Sequence, residues 1–312
     1  MLAAVVVLAA IITVPRLVGG DARVAFDEAR RGEGPTAADA GEWQPLPRAP
    51  AGTDGQVTAV WTGEELVLIG AAAYNPTDET WRELSSAPFE PGPLAAAWTG
   101  SEVVAVRAGR RSAAAAYDPA ADPWRELPEP PWEPIAGDRA PSARWAGDRV
   151  VVVVPSDDAD DDGAPAAAFD PAEGTWAPIE PAPAEGHPML VATGSRLELW
   201  DAWRTAAGLA FRVSLYDGEG GGWGRPLPAL PAPVDGGVAG GTSVTEVAGQ
   251  VVVAAGDQAV AYDRAANEWG VLPDPPIVLG PHSAVWTGER LLVWGVSADG
   301  ETVGLSYRPA VP

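Results

Sequence analysis

From Trp43 onward, short β-branched and aliphatic runs recur between turn residues. Glu65 to Ile69, Val150 to Val154 and Leu291 to Trp294 are three of them, each followed by Gly or Pro. Such runs predict strands, because branched side chains pack well on a pleated surface and Gly and Pro interrupt it.

An internal repeat organises these strands. An aromatic residue, usually followed by Asp-Pro or Asn-Pro, precedes a Trp by seven positions: Tyr74 and Trp81, Tyr117 and Trp124, Phe169 and Trp176, Tyr216 and Trp223, Tyr262 and Trp269. All five tyrosines of the chain, counting Tyr307, occupy this slot. A second motif, a hydrophobic residue, a small residue and Gly, recurs as Trp61-Thr62-Gly63, Trp98-Thr99-Gly100, Trp145-Ala146-Gly147, Ala192-Thr193-Gly194, Val247-Ala248-Gly249 and Trp286-Thr287-Gly288.

The expected unit is four short antiparallel strands. Such a sheet cannot cover both its faces alone, and radial stacking with one Trp filling each gap solves the problem. The six Gly motifs therefore predict an all-β fold, a six-bladed β-propeller of four-stranded antiparallel blades. Tyr307 has no Trp after it before the chain stops at Pro312, and Trp43 has no Tyr before it. The Trp43 strand is thus expected to form the outermost strand of the last blade, which removes an open sheet edge.

The predicted organisation is an apolar signal or anchor segment over 1–20, a flexible linker over 21–41 and the propeller over 42–312. The apolar run Leu2 to Pro15 has 14 residues, between the length of a signal-peptide core and that of a minimal membrane span. It leads to the expectation of a membrane-anchored or secreted protein whose domain faces the extracytoplasmic side, with the membrane met only through this segment.

Composition narrows the partners. The chain has 43 acidic and 20 basic residues, all of the latter Arg, for a net charge of -23. With no basic patch, nucleic acid is not an expected partner. The absence of Cys excludes disulfides, thiolate metal sites and a catalytic thiol.

The order of hydrophobic strand, Gly turn, β-branched strand, Tyr-Asp and spaced Trp resembles kelch repeats and, more broadly, galactose-oxidase-like propellers, from about Trp43 to Tyr307. The Gly doublet usual after the second kelch strand is reduced here to Gly70-Ala71, Gly256-Asp257 and Gly295-Val296. The resemblance implies the fold but no one activity, because propellers host enzymes, sugar binders and protein scaffolds alike. The copper chemistry of galactose oxidase needs a cross-linking Cys and suitably placed His and Tyr. Here Cys is absent, His187 and His282 are the two imidazoles, and every Tyr sits in a repeat slot.

Strand alternation puts the Gly turn and the Tyr-to-Trp turn at one end of each blade, and the second-to-third-strand loop and the blade connection at the other. The distance from turn Gly to aromatic runs from 11 residues (Gly63 to Tyr74) to 22 (Gly147 to Phe169, Gly194 to Tyr216). Variable loops on a rigid scaffold are the expected binding surface, here in blades two to four. Asp158, Asp160 and Asp162, in an Asp-x-Asp-x-Asp-Gly run ending at Gly163, are candidate ligands for a structural Ca2+, although Phe169 stands where an EF-hand has its bidentate Glu. A solvated acidic loop is the competing reading.

Trp200, Asp201, Trp203 and Arg204 in blade four, Trp132 in the connection to blade three and Arg110 in blade two are candidate ligand-binding residues, with packing or surface charge as the alternative. No catalytic residue is assigned. The expected function is a monomeric, non-enzymatic scaffold that binds a protein or a glycan. The alternative is a carbohydrate-active hydrolase or lyase using loop carboxylates, which calls for two of them converging about 5 to 10 Å apart.

Overall fold

The first strand already shows how the repeat is completed. In the computed structural model, described for residues 41–55, 58–90, 92–135, 140–156, 163–206, 208–232, 234 and 241–309, β1 (Glu42–Pro45) pairs antiparallel with the last strand of the chain. Blade one is β2 (Ala59–Trp61), β3 (Leu66–Leu68), β4 (Ala72–Asn75) and β5 (Thr80–Glu83). Blade two is β6 (Leu94–Trp98), β7 (Val103–Arg107), β8 (Ala113–Tyr117) and β9 (Trp124–Glu126). Blade three is β10 (Ser142–Trp145), β11 (Val150–Val153), β12 (Ala166–Asp170) and β13 (Thr175–Pro178). Blade four is β14 (His187–Thr193), β15 (Arg196–Thr205), β16 (Gly208–Asp217) and β17 (Gly222–Trp223), with β18 (Leu230–Ala232) added beside β16. Blade five is β19 (Thr242–Val247), β20 (Gln250–Ala255), β21 (Gln258–Asp263) and β22 (Glu268–Val271). Blade six is β23 (Leu279–Trp286), β24 (Leu291–Ser297) and β25 (Thr302–Arg308), with β1 as its outer strand. The fold is an all-β, six-bladed β-propeller of four-stranded antiparallel blades.

The seven-residue spacing has a geometric cause. Tyr74 and Trp81, Tyr117 and Trp124, Phe169 and Trp176, Tyr216 and Trp223, and Tyr262 and Trp269 are direct cross-strand partners over one tight turn. Their ring centroids lie 5.0 to 5.1 Å apart. Trp43 and Tyr307 make the sixth pair across the β1–β25 ladder, also at 5.0 Å, as the chain arithmetic predicts.

The Asn or Asp after each aromatic shapes the turn. Asn75, Asp118, Asp170, Asp217 and Asp263 each accept the backbone N–H two residues on, at 2.8 to 3.1 Å. Each turn then carries a left-handed residue two positions before the Trp: Glu79, Asp122, Gly174, Gly221 and Asn267. In two blades the tyrosine hydroxyl locks that residue, Tyr117 donating to Asp122 at 2.6 Å and Tyr262 to Asn267 at 2.7 Å.

The tryptophans also link blades. Trp81, Trp124, Trp176 and Trp223 donate through Nε1 to the carbonyls of Pro47, Ser85, Pro128 and Glu180, at 2.9 to 3.0 Å. Trp43 does the same to Pro273 at 2.9 Å. Each acceptor lies four residues beyond the Trp of the preceding repeat, so the repeat aromatics combine packing with a recurring polar link.

The chain divides into two compact units. One holds Pro47–Trp203 and Phe211–Ala229, and the other the described residues up to Leu46 with Arg204–Ala210 and Leu230–Pro312. Inside the first, strand alternation shares side chains between successive gaps. Val103 and Ala105 pack with blade one, while Val104 and Val106 pack with blade three. Val150 and Val152 face blade two, and Val151 and Val153 face blade four. With both faces covered, Val103 to Val106 of β7 and Val150 to Val153 of β11 read as unbroken Val and Ala runs rather than as an alternation. In the second unit one cluster joins blades five and six through Val252, Leu272, Leu291, Leu305 and Tyr307.

The β3-to-β4 turn shows how tightly the blades approach. Gly70 has φ +71°, and a Cβ built there would lie 2.5 Å from the Ala87 backbone nitrogen. Gly63 also has positive φ, at +98°, but faces open space. Gly70→Ala is expected to cost about 3 kcal/mol, from left-handed strain together with overpacking. Gly63→Ala should cost about 1 kcal/mol, from strain alone. Equal costs in chemical denaturation would contradict this packing.

Candidate functional site

Connection lengths at the second-to-third-strand end differ between blades. Blade one uses a tight turn around Gly70, and blade two a loop from Ala108 to Ser112. Blades three and four share the 22-residue spacing but use it differently. In blade three the strands stop at Val153 and restart at Ala166, with Ala164 and Ala182 exchanging backbone hydrogen bonds at 2.8 Å to pin the loop. Asp158, Asp160 and Asp162, the calcium candidates, lie outside the described residues.

In blade four no long loop forms, contrary to the reading of the spacing. β15 and β16 are ten residues each, and only residues 206–207 connect them. The residues expected on a loop are therefore strand residues. Leu197 to Asp201 lack any Gly or Pro, and all are buried, so pairing continues where blade three breaks at Pro155.

Trp200 is 0% exposed, packs edge-on against Phe211 at 5.5 Å, and donates Nε1 to Glu198 at 2.9 Å. It presents no face to a ligand. Asp201 is 1% exposed and accepts the backbone N–H groups of Glu185 and Gly186, both at 3.0 Å. Burial raises its carboxyl above the usual range, against the pull of those two N–H groups and of Arg212. Asp201 thereby fixes the start of β14. Glu198, also buried, accepts from Thr193 at 3.1 Å. The two buried carboxylates of this blade are thus each held by hydrogen bonds to their own surroundings.

Trp203 is half-buried, and the Arg212 guanidinium lies 5.2 Å from its ring centroid. Arg212 in turn donates to the exposed Glu185 carboxylate at 2.9 Å. Exposed pairs of this kind contribute only about 0.5–1 kcal/mol each, so their main effect is to hold the indole and the guanidinium in a set geometry. Arg212 and Glu185 were not singled out in the sequence, because only the short 206–207 connection returns β16 beside Trp203.

No protein-family model and no curated protein sequence matches the chain.

The remaining candidates are placed as follows. Arg204 is exposed on β15, one residue beyond Trp203. Trp132 is half-buried, donates Nε1 to Ser112 at 2.8 Å and packs edge-on against Trp176 at 5.8 Å, within the cluster joining blades two and three. Arg110 is exposed in the β7–β8 loop. Among the described residues, no three His, Cys, Asp or Glu side chains converge as a metal site would require. Burial pushes the Tyr117 and Tyr307 phenols up to about 12 and raises Tyr216 as well, so these three stay protonated near neutral pH.

Proposed function

We propose that the protein is a binding scaffold and that blade four carries its recognition surface. The observation that supports this is the pairing of a half-buried indole, Trp203, with an ion-paired guanidinium, Arg212, on a hairpin of ten-residue strands. A flat aromatic face beside a fixed donor and the Glu185 acceptor suits a sugar ring, whose C–H faces stack on indole and whose hydroxyls need both donors and acceptors. The same combination of aromatic and Arg side chains marks the energetic centres of protein interfaces. Glycan is the ligand class this surface fits best. The repeat order supports a kelch-like lineage, and the apolar 1–20 segment supports placing the domain on the extracytoplasmic side of a membrane.

Trp203→Ala is expected to weaken ligand binding by about 30-fold, the loss typical of an aromatic anchor. Thermal stability should change little. The check is a glycan array probed with the unaltered chain and the variant, with a parallel pull-down from envelope extract read by mass spectrometry. Neutral oligosaccharides retained by the unaltered chain and lost by the variant would support the reading. A protein retained instead would make the partner a polypeptide. Equal retention by Trp203→Ala and Arg212→Ala would move the recognition surface elsewhere.

A further inference from the structure

Two consecutive repeats bring a hydroxyl and an imidazole together. Ser243 lies six residues before the turn Gly249, and His282 six residues before the turn Gly288. Equal repeat positions on the first strands of blades five and six are neighbours, and Ser243 Oγ sits 2.9 Å from His282 Nε2. His282 Nδ1 is 2.7 Å from the Gly280 carbonyl oxygen. That oxygen can only accept, so Nδ1 carries the proton. In the neutral ring Nε2 is then the acceptor, and Ser243 Oγ–H is the donor.

Local backbone structure builds this arrangement. The β23–β24 register shifts between Leu279 and His282, which turns the Gly280 carbonyl toward the ring two residues on. Opposite the irregularity stands Gly295, where a Cβ would lie 2.5 Å from His282 Cα. Glycine at 295 is therefore what lets His282 sit there. Burial holds the imidazole below its usual range, the Gly280 carbonyl pulling the other way, so at pH 7 the ring is neutral and its Nε2 lone pair meets the Ser243 hydroxyl. Ser243 and His282 both remain partly exposed. β19 and β23 are edge strands of their sheets, so alternate backbone N–H groups along each point away from their own ladders.

We propose that Ser243 and His282 form a nucleophile–base dyad that hydrolyses small carboxylic esters, an activity beyond the binding role of blade four. His282 Nε2 takes the hydroxyl proton as Ser243 Oγ bonds to the ester carbonyl carbon, whose π pair moves onto oxygen. Collapse of this intermediate breaks the bond to the alkoxy group, which leaves as the alcohol with the proton from Nε2. Ser243 is left as an acyl ester. Water then gives a proton to Nε2 and attacks the acyl carbon. The second collapse releases the carboxylic acid and returns the proton to Oγ. Ester and water become acid and alcohol, with no change of oxidation state. The Gly280 carbonyl takes the place of the carboxylate that orients histidine in a three-residue constellation.

The test is covalent labelling of the full chain with a fluorophosphonate probe, followed by peptide mapping, alongside release of p-nitrophenolate from p-nitrophenyl acetate. One adduct, on Ser243, is expected, and Ser243→Ala should lose the label and at least about 100-fold of the hydrolysis rate. His282→Gln should slow labelling to a similar degree. The mapping is read on the unaltered protein and so decides the matter even if a variant fails to fold. A folded chain with no adduct at Ser243, or hydrolysis undiminished in a folded Ser243→Ala, overturns the dyad and leaves the pair as an interblade hydrogen bond.

Discussion

Replacing Trp200 with alanine is expected to lower the unfolding free energy by about 3–5 kcal/mol, the range for a large aromatic removed from a core. The ring is wholly buried against Phe211, and its Nε1 is one of the donors that hold the buried Glu198 carboxylate. Truncation leaves both a cavity and a carboxylate short of a hydrogen bond, and each adds to the cost. Trp203→Ala, three residues along the same strand, should change stability by less than about 1 kcal/mol, because its ring is partly exposed and rests on a cation rather than in a core. Urea unfolding of both variants measures the contrast. A Trp200→Ala protein as stable as the unaltered chain would mean that this hairpin is not packed as described.

Removing the chain through Pro45 is expected to destabilise blade six by about 4–6 kcal/mol, most of it from lost indole packing and a smaller share from hydrogen bonds. Trp43 stacks on Tyr307, donates to Pro273, and belongs to a strand that pairs with β25 over four residues. Without β1, β25 becomes an uncovered edge open to pairing with a second molecule. Differential scanning calorimetry should show a midpoint lowered by on the order of 10–15 °C, and light scattering should show association. Trp43→Ala alone should reproduce most of the drop without the association, because the strand remains. If both variants melt with the unaltered protein, β1 does not complete the blade.

The propeller was legible because its repeat is stated in distances that geometry fixes. A Tyr and a Trp seven residues apart can be cross-strand partners over one tight turn, and the unmatched Trp43 and Tyr307 could be assigned to each other by counting. The blade-four surface was not legible in the same way. Gly147 to Phe169 and Gly194 to Tyr216 have the same spacing, yet the first contains a loop and the second a pair of extended strands. Periodicity could not separate them. β15 is buried through six consecutive positions, Leu197 to Ala202, so the alternation that marks a half-exposed strand is missing. Glu198 and Asp201 deepen the difficulty, since buried carboxylates read as loop residues until their hydrogen-bond donors are seen. Ser243 and His282 carried a usable signal in their equal offsets from the turn glycines, but it acquires meaning only once the first strands of blades five and six are known to be neighbours.

The pairing of β1 with β25 also fixes how the protein would respond to load. Glu42 stands opposite Arg308, so the chain segments leading away from the two strands emerge at the same end of one ladder. Tension applied between them falls on the Glu42–Arg308 step first, then on Trp43–Tyr307, and breaks one pair of contacts at a time. A sheet pulled along its strands would share the force over all its ladder bonds at once. Under such a load the β1–β25 ladder would open like a zip from its Glu42–Arg308 end, with the Trp43–Tyr307 stack as the first firm tooth.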